Sequence, residues 1–393
     1  MREAVAPILV VLTLTVSIAA VPVGVGAQSD QPAQCSFPVS ATDASGVTVS
    51  IDEEPQEVVV LQPSAAQTMW EIGAEEKVVG MPVNPYTAYL NGTTDRTDVV
   101  GEQSTVIQSE VVNLQPDLVL APNVTDPATV ESLRNAGLTV FYFEEAESID
   151  DIYEKTELTG RLVGEFEGAA DRTAEMRATV DAIRSAVNDR ESPTVYYALG
   201  GGYTAGTETF IHELITTAGG ENVADGEFAG YQVLSPEILT QKDPDWIVVP
   251  GDRSLEKNDA INRTTAVRDN QIVRVEDNYM NQAGPRTVTP LQRMAEAFHP
   301  DANVTSAVEN ADPAAPTQCA SATGDGTPER GTSAETGQTA DTGTPSSDTA
   351  TGPSETPTAS PVGTPSASGA GFGTFVAVLA VVAVALWLGR SRR

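Results

Sequence analysis

The stretch Ser148–Val187, SIDDIYEKTELTGRLVGEFEGAADRTAEMRATVDAIRSAV, sets the architecture of the chain. Ser148 with Asp151 three residues on is a capping-box pattern, so a helix starts here. Gly164 interrupts the run, and a second helix is expected from about Glu165. In that helix Ala169, Thr173, Met176, Val180, Ile183 and Val187 recur every three or four residues and fall on one face. At ~1.5 Å per residue this is a rod of roughly 35 Å, long enough to cross a small domain. Related segments flank it: SEVVNLQPDLVLAP (Ser109–Pro122) before and SPEILTQKDPDWIVVP (Ser235–Pro250) after. Each is expected to carry a Ser helix cap, a first-turn Glu, a short helix, a Pro-Asp turn and a buried strand. The rod is therefore expected to join two lobes built on the same plan.

Outward from the rod, strand and helix patterns alternate at short spacing. Val47–Ile51 alternates like a half-buried strand. Val58–Leu61 is a continuous apolar run of the kind buried in a parallel sheet. There follow helix Ala65–Ile72 ended by Gly73, strand Val78–Met81, the Glu110 helix, strand Leu118–Ala121, helix Ala128–Ala136 and strand Thr139–Tyr142. Beyond the rod come strand Thr194–Ala198, Gly200-Gly201-Gly202-Tyr203, helix Thr209–Ala218, the Glu237 helix and strand Trp246–Val249. A helix near Asp259–Arg263, strand Ile272–Val275 and helix Thr289–Phe298 complete the series. The expected fold is α/β: two lobes with mainly parallel sheets, residues 47–147 and 191–310, joined by one long bridging helix within 148–190.

The formal net charge of −33 argues against nucleic acid or an anionic membrane surface as partner. Such an acidic excess suits a protein kept soluble in high salt, and a halophilic archaeal origin is expected. Residues 1–27 read as a secretory signal: Arg2, an apolar core Ile8–Ala20, and Val25-Gly26-Ala27 as cleavage site. Residues 28–46 then form a linker. Cys35 and Cys319 flank the lobes. In an exported protein they are expected to form one disulfide, worth ~4 kcal/mol by loop entropy, the alternative being two unpaired thiols. Asn91, Asn123, Asn262 and Asn303 stand in glycosylation tripeptides. Residues 311–369 are Thr, Ser, Pro, Gly and acidic residues with scarcely a large apolar side chain, so a disordered stalk is expected. Within 370–393 an apolar run, Phe372–Leu388, precedes Arg390, Arg392 and Arg393, which reads as a membrane anchor with the lobes outside. This end resembles the PGF-CTERM sorting signal of archaeal surface proteins, with Ala370-Gly371-Phe372-Gly373 in place of its proline-containing motif.

The order of motifs through the lobes resembles the solute-binding proteins of ABC importers for vitamin B12, haem and ferric siderophores. The carrying pieces are Leu61-Gln62-Pro63-Ser64, Ile72-Gly73-Ala74 leading to Val78-Val79-Gly80, and Leu114–Ala121 with its Pro-Asp. Ala218–Asn222 with Gly-Gly-Glu-Asn, Ser235-Pro236-Glu237 and Gly284-Pro285-Arg286 complete them. The resemblance spans Val47 to Pro300. It implies capture of a metal-chelate ligand in a cleft between lobes, delivery to a permease with its ATPase, and little hinge motion. It implies a monomer with no cofactor of its own, the ligand itself carrying cobalt or iron.

Under that resemblance Glu110 and Glu237, matched in the two repeats, are the residues that dock on permease arginines. The competing reading is that each offsets a helix dipole, worth about 0.3–1 kcal/mol. The aromatic candidates for ligand contact are Tyr86 and Tyr89 in the first lobe and Tyr203, Tyr231 and Tyr279 in the second, since flat rings suit a macrocycle. Vitamin B12-binding members carry tryptophans where Tyr231 and Tyr279 stand, and two more at about Ser104 and Pro122. Arg286 either binds a ligand carboxylate or braces a loop; Asn278 and Gln282 are further polar candidates. Gly200-Gly201-Gly202 lacks the remaining features of a phosphate loop and is expected to be a tight turn. The histidines are His212 and His299, far apart in sequence, which speaks against catalysis and against a free-metal carrier. The rival reading is a structural or adhesive surface glycoprotein.

Overall fold

An antiparallel hairpin, β1 (Val39–Thr42) and β2 (Thr48–Ile51), opens the chain in a computed structural model that describes residues 35–101, 104–256 and 258–315. The expected signal segment, the expected stalk beyond residue 315, the expected C-terminal anchor and Cys319 lie outside the described residues. Among the described residues no helix is long and apolar enough to cross a membrane. The hairpin corrects the expectation of a linker up to residue 46. Val39 pairs with Ile51 and both are buried in the first lobe's core, so a short alternating segment became a strand through its partner. Cys35, just before it, is a disulfide sulfur rather than a thiol.

The first lobe follows as β3 (Val58–Val60), α1 (Pro63–Glu71), β4 (Val78–Met81), β5 (Thr97–Asp98), α2 (Gln108–Leu114), β6 (Leu118–Ala121), α3 (Pro127–Asn135) and β7 (Val140–Tyr142). Its strands form one parallel sheet in the order β5-β4-β3-β6-β7. Every residue of β3 and β6 is buried, because helices cover both faces of the sheet. Met69 of α1 packs on one face and Val111 of α2 with Leu133 of α3 on the other.

The crossing to the second lobe is made by α4 (Ile149–Val163) and α5 (Phe166–Val187). The capping box at Ser148 and Asp151 is present, and Gly164 ends α4 at φ 86°, in the left-handed region glycine favours. The buried face of α5 consists of Ala169, Thr173, Met176, Val180, Ile183 and Val187. Ala169 belongs to the first lobe's core and Met176 to Val187 to the second's, so α5 is the bridging helix. Beside it runs α4 in the opposite sense. Its first turns (Ile149, Ile152, Tyr153) are in the second lobe's core and its last (Leu162, Val163) in the first's. Glu213 caps its start, accepting from Ile149 N–H at 2.6 Å, and Lys77 Nζ donates to Val163 O at its end, 2.6 Å. The strut is thus a helical hairpin fastened at both ends.

The second lobe comprises β8 (Thr194–Tyr197), β9 (Tyr203–Ala205), α6 (Phe210–Thr217), β10 (Glu221–Asn222), β11 (Tyr231–Val233), α7 (Pro236–Lys242) and β12 (Trp246–Pro250). It continues with α8 (Asp259–Asn262), α9 (Thr265–Arg268), β13 (Ile272–Val275), α10 (Asp277–Met280), α11 (Val288–Phe298) and α12 (Val304–Glu309). Its parallel sheet has the order β10-β8-β12-β13, while β9 and β11 form a separate antiparallel ribbon.

The repeat of plan is visible in its turns. Gln115 (φ 49°) ends α2 and Asp243 (φ 42°) ends α7, each before a Pro-Asp. Asp117 then accepts from the N–H groups of Gln56 and Glu57, and Asp245 from Thr194 N–H and O–H, so each pins the start of a central strand. The caps are not matched as expected. Ser235 caps α7, accepting from Ile238 N–H. In the first repeat the helix already begins at Gln108, because Ile107 is held by Val99 O at 2.8 Å and its own carbonyl accepts from Glu110 N–H. Ser109 is therefore inside the helix and caps nothing.

Candidate functional site

In each lobe all sheet strands run parallel, so their carboxyl ends share one edge, where α/β sheets form ligand crevices. The loops leaving those edges meet across the seam. From the first lobe comes the loop after β4, carrying Tyr86 and Tyr89; from the second comes α10, after β13, carrying Tyr279 and followed by Gln282 and Arg286.

Four sequence candidates, Tyr89, Tyr279, Arg286 and Gln282, converge there. Tyr89 and Tyr279 meet edge to face at 5.3 Å, and the Arg286 guanidinium lies over both rings at 5.1 and 5.2 Å. Arg286 Nη1 donates to Tyr279 Oη (2.9 Å) and Nε to Glu71 Oε1 (2.7 Å). Gln67, fully buried on α1, donates to Tyr89 Oη at 2.9 Å, and Tyr89 Oη donates to Gln282 Oε1 at 2.9 Å. Gln282 Nε2 returns to Tyr86 O at 2.9 Å, and Gln67 Oε1 accepts from Arg286 N–H at 2.9 Å. Burial pushes the Tyr89 hydroxyl up to about 12, against the pull of the Gln67 hydrogen bond and the Arg286 charge, so it stays a neutral donor. Burial alone would lower Arg286, but its bond to Glu71 and the carboxylate charge raise it. Arg286 braces the seam through Nε and Nη1, while its Nη2 has no hydrogen-bond partner among the described residues, so both roles stay open to it.

The other candidates form walls. Tyr86 is 44% exposed, next to the seam. Tyr203 and Tyr231 sit half-buried on the ribbon, Tyr203 paired with Val233 and Tyr231 with Ala205. Burial, with the Glu145 carboxylate from the loop after β7, pushes the Tyr231 hydroxyl up. Asn278 lies 3.4 Å from Gln282 at the seam's edge. Two wall residues were invisible as sequence: Val124, after β6, is 49% exposed and Val233 is 52% exposed. With Tyr86 they make three of the four large apolar side chains left exposed among the described residues, and all three follow a sheet's carboxyl edge. An isolated exposed valine carries no signal; its position in the fold does. Glu71 and Arg172 of the seam were likewise silent, being distant in sequence from every motif.

The glycine turn is a turn. Gly200, Gly201 and Gly202 all have positive φ, and Gly201 N–H donates to Glu256 Oε1 at 2.7 Å. His212 is a helix residue whose Nδ1 meets Asn222 Nδ2 at 3.2 Å, and His299 is buried at the end of α11. Among the described residues no three His, Cys, Asp or Glu converge as for a metal. Glu110 and Glu237 lie in the first turns of α2 and α7. Each helix returns to the amino end of its strand, so each first turn stands at its lobe's carboxyl edge, on the cleft side. Neither carboxylate has a side-chain partner among the described residues. Of the glycosylation candidates Asn91, Asn262 and Asn303 are exposed and Asn123 is half-buried.

Residues 58–279 match the model of a periplasmic binding protein family. A cobalamin-binding protein of Halobacterium salinarum is 46% identical over 285 residues, covering 69% of this chain and 77% of that one. A vitamin B12-binding protein of Vibrio vulnificus is 22% identical, covering 64% and 93%. Among solved structures, a periplasmic heme-binding protein of Roseiflexus superposes with a TM-score of 0.57 at 25% identity, covering 63% of this chain and 99% of that one.

Proposed function

The chain belongs to the periplasmic binding protein family, and we propose that within this class of ABC-importer receptors it captures a corrinoid, cobalamin or a close relative, between its lobes. The carrying observation is the charge of the cleft. Among the described residues, the loops at the carboxyl edges bring Asp126, Glu144, Glu145 and Glu147 from one lobe and Asp252, Glu256, Glu276 and Asp277 from the other. Against these eight carboxylates the described cations there are four: Arg253, paired with Asp277 at 2.7 Å, Arg286, tied to Glu71, Lys155, whose charge acts on Glu145, and Arg274, which donates to Gly251 O and Arg253 O at 3.0 and 2.8 Å. A ferric catecholate, an anion, and haem, with two propionates, would each meet a net excess of carboxylates, and like-charge contact costs several kcal/mol. A corrinoid presents uncharged amides around an apolar ring and carries no such cost. Its faces suit walls made of Tyr86, Val124 and Val233, and its amides suit the acceptors at the rim. The archaeal relative's name points the same way.

Delivery follows from Glu110 and Glu237. Two separated, unpartnered carboxylates at the cleft-side rim of the two lobes suit a partner with two basic pockets, such as a permease dimer. Export by residues 1–27, a surface anchor at 370–393, the Cys35–Cys319 disulfide and glycans at the exposed asparagines belong to this reading and rest on sequence pattern. Titration calorimetry of the purified protein with cyanocobalamin, haemin and a ferric catecholate tests it. One-to-one binding of cobalamin with silence from both anions is expected; preference for either anion overturns it.

A further inference from the structure

We propose that Glu71 is the positioning residue of the cleft: its carboxylate, held between an arginine of the strut and an arginine of the second lobe, fixes the distance between the cleft walls. This rests on the reading of the seam as the ligand site. Glu71 ends α1 in the first lobe. Its Oε2 lies 3.0 Å from Arg172 Nε on α5, and its Oε1 2.7 Å from Arg286 Nε in the second lobe. The three side chains are 16%, 17% and 26% exposed, so water screens them little. Arg172 also donates to Pro285 O at 2.9 Å, which closes a ring through lobe, strut and lobe.

Backbone contacts bring the three together. A Cβ on Gly168 would stand 2.1 Å from Ile72 O, so only glycine lets α5 approach the end of α1, one turn before Arg172. A Cβ on Gly284 would stand 2.7 Å from Gln67 Oε1, and Gly284 thereby lets the Gly284-Pro285-Arg286 turn dock on α1. That motif, which carried part of the family resemblance, is thus a fastening of the lobes. Glu71 is the carboxylate shared by both guanidinium groups; Arg172 has a further, exposed partner in Glu175 at 3.1 Å, whereas Arg286 has no other among the described residues. Neutralising Glu71 leaves Arg286 without a carboxylate partner in a poorly hydrated seam and removes the bridge to Arg172, so the two cations repel across it and the lobes move apart. The cleft width, and with it the thickness of ligand accepted, is therefore set before any ligand arrives.

The test uses Glu71→Gln in the full chain, with spin labels on non-natural side chains at the exposed positions Glu131 and Asp269, one on each lobe. In the ligand-free protein the interlobe distance distribution is expected to broaden and move outward relative to wild type. The cobalamin Kd should rise about tenfold if the competent population falls to about a tenth. A distribution superimposable on wild type overturns the proposal, even if the variant melts earlier. The distance readout needs no ligand, so a wild type that ignores cobalamin defeats the corrinoid reading and leaves this test standing. Should Glu71→Gln fail to fold, Arg286→Gln decides instead: it removes the second lobe's half of the contact while Arg172 keeps Glu71 paired, and the interlobe distances should again broaden and move outward. An unchanged distance in that variant overturns the proposal as well.

Discussion

Asp43 shows how much one buried carboxylate can carry. Its side chain is fully buried, pairs with Arg134 of α3, and accepts from Ser45 N–H, Ser45 O–H and Val47 N–H at 2.9, 2.7 and 3.2 Å. Burial pushes its pKa up, but the Ser45 and Arg134 hydrogen bonds outweigh it and hold the group below its usual range. A depressed carboxylate stabilises above its unfolded pKa, ~3.9, and loses that contribution as pH falls through the folded value. Asp43→Asn should therefore cost about 3 kcal/mol by leaving Arg134 unpaired, read as a lower denaturant midpoint at neutral pH. The wild-type advantage over the variant should fade below about pH 4. Equal midpoints at pH 7 would contradict this. The sequence around Asp43 shows only its turn partners Ser45 and Val47; the buried charge pair was hidden because Arg134 on α3 and Tyr142 on β7 lie some 90 residues away.

At the scale of elements, α5 was fully legible: its buried face repeats with the helical period over about five turns, so periodicity outweighs any single residue. The strands β4, β6 and β13 were legible for a similar reason, as apolar runs bounded by turns. Short elements were not. β9, β11 and α10, of three or four residues, have no room for a period, yet they position Tyr203, Tyr231 and Tyr279. The aromatic residue types were readable while their grouping was not: Tyr89 and Tyr279 became partners only when two lobes met. The role of α4 as the second limb of the strut was hidden too, since which lobe a helix end enters is a tertiary fact. Its contact with α5 rests on Gly160, where a Cβ would lie 2.3 Å from the Ala169 Cβ. Gly160→Ala gains ~1 kcal/mol of helix propensity. Overpacking at that crossing costs ~1–3 kcal/mol, so the net effect should be destabilising. A raised melting temperature would contradict this packing.

Across the whole molecule, a net charge of −33 acts against the compact state unless counterions screen it. The melting temperature should therefore climb as salt rises from tens of millimolar to molar concentrations. A salt-independent melt would remove the case for a halophilic protein. The proposed function joins two faces of one object at this scale: a seam to hold ligand and two rim carboxylates to meet the transporter. Charge reversal at both Glu110 and Glu237 should abolish transporter-dependent uptake and leave ligand affinity within about twofold, since neither residue touches the seam. Loss of ligand binding in that variant would place the carboxylates in the cleft.

A crystal structure of the protein with cobalamin tests the account most directly. The corrin should lie between Tyr86 and Val124 on one side and the ribbon carrying Tyr203 and Val233 on the other. The contacts Arg172–Glu71–Arg286 should be intact and the lobes as far apart as without ligand. A ligand bound elsewhere, or lobes that close by breaking those contacts, would contradict it.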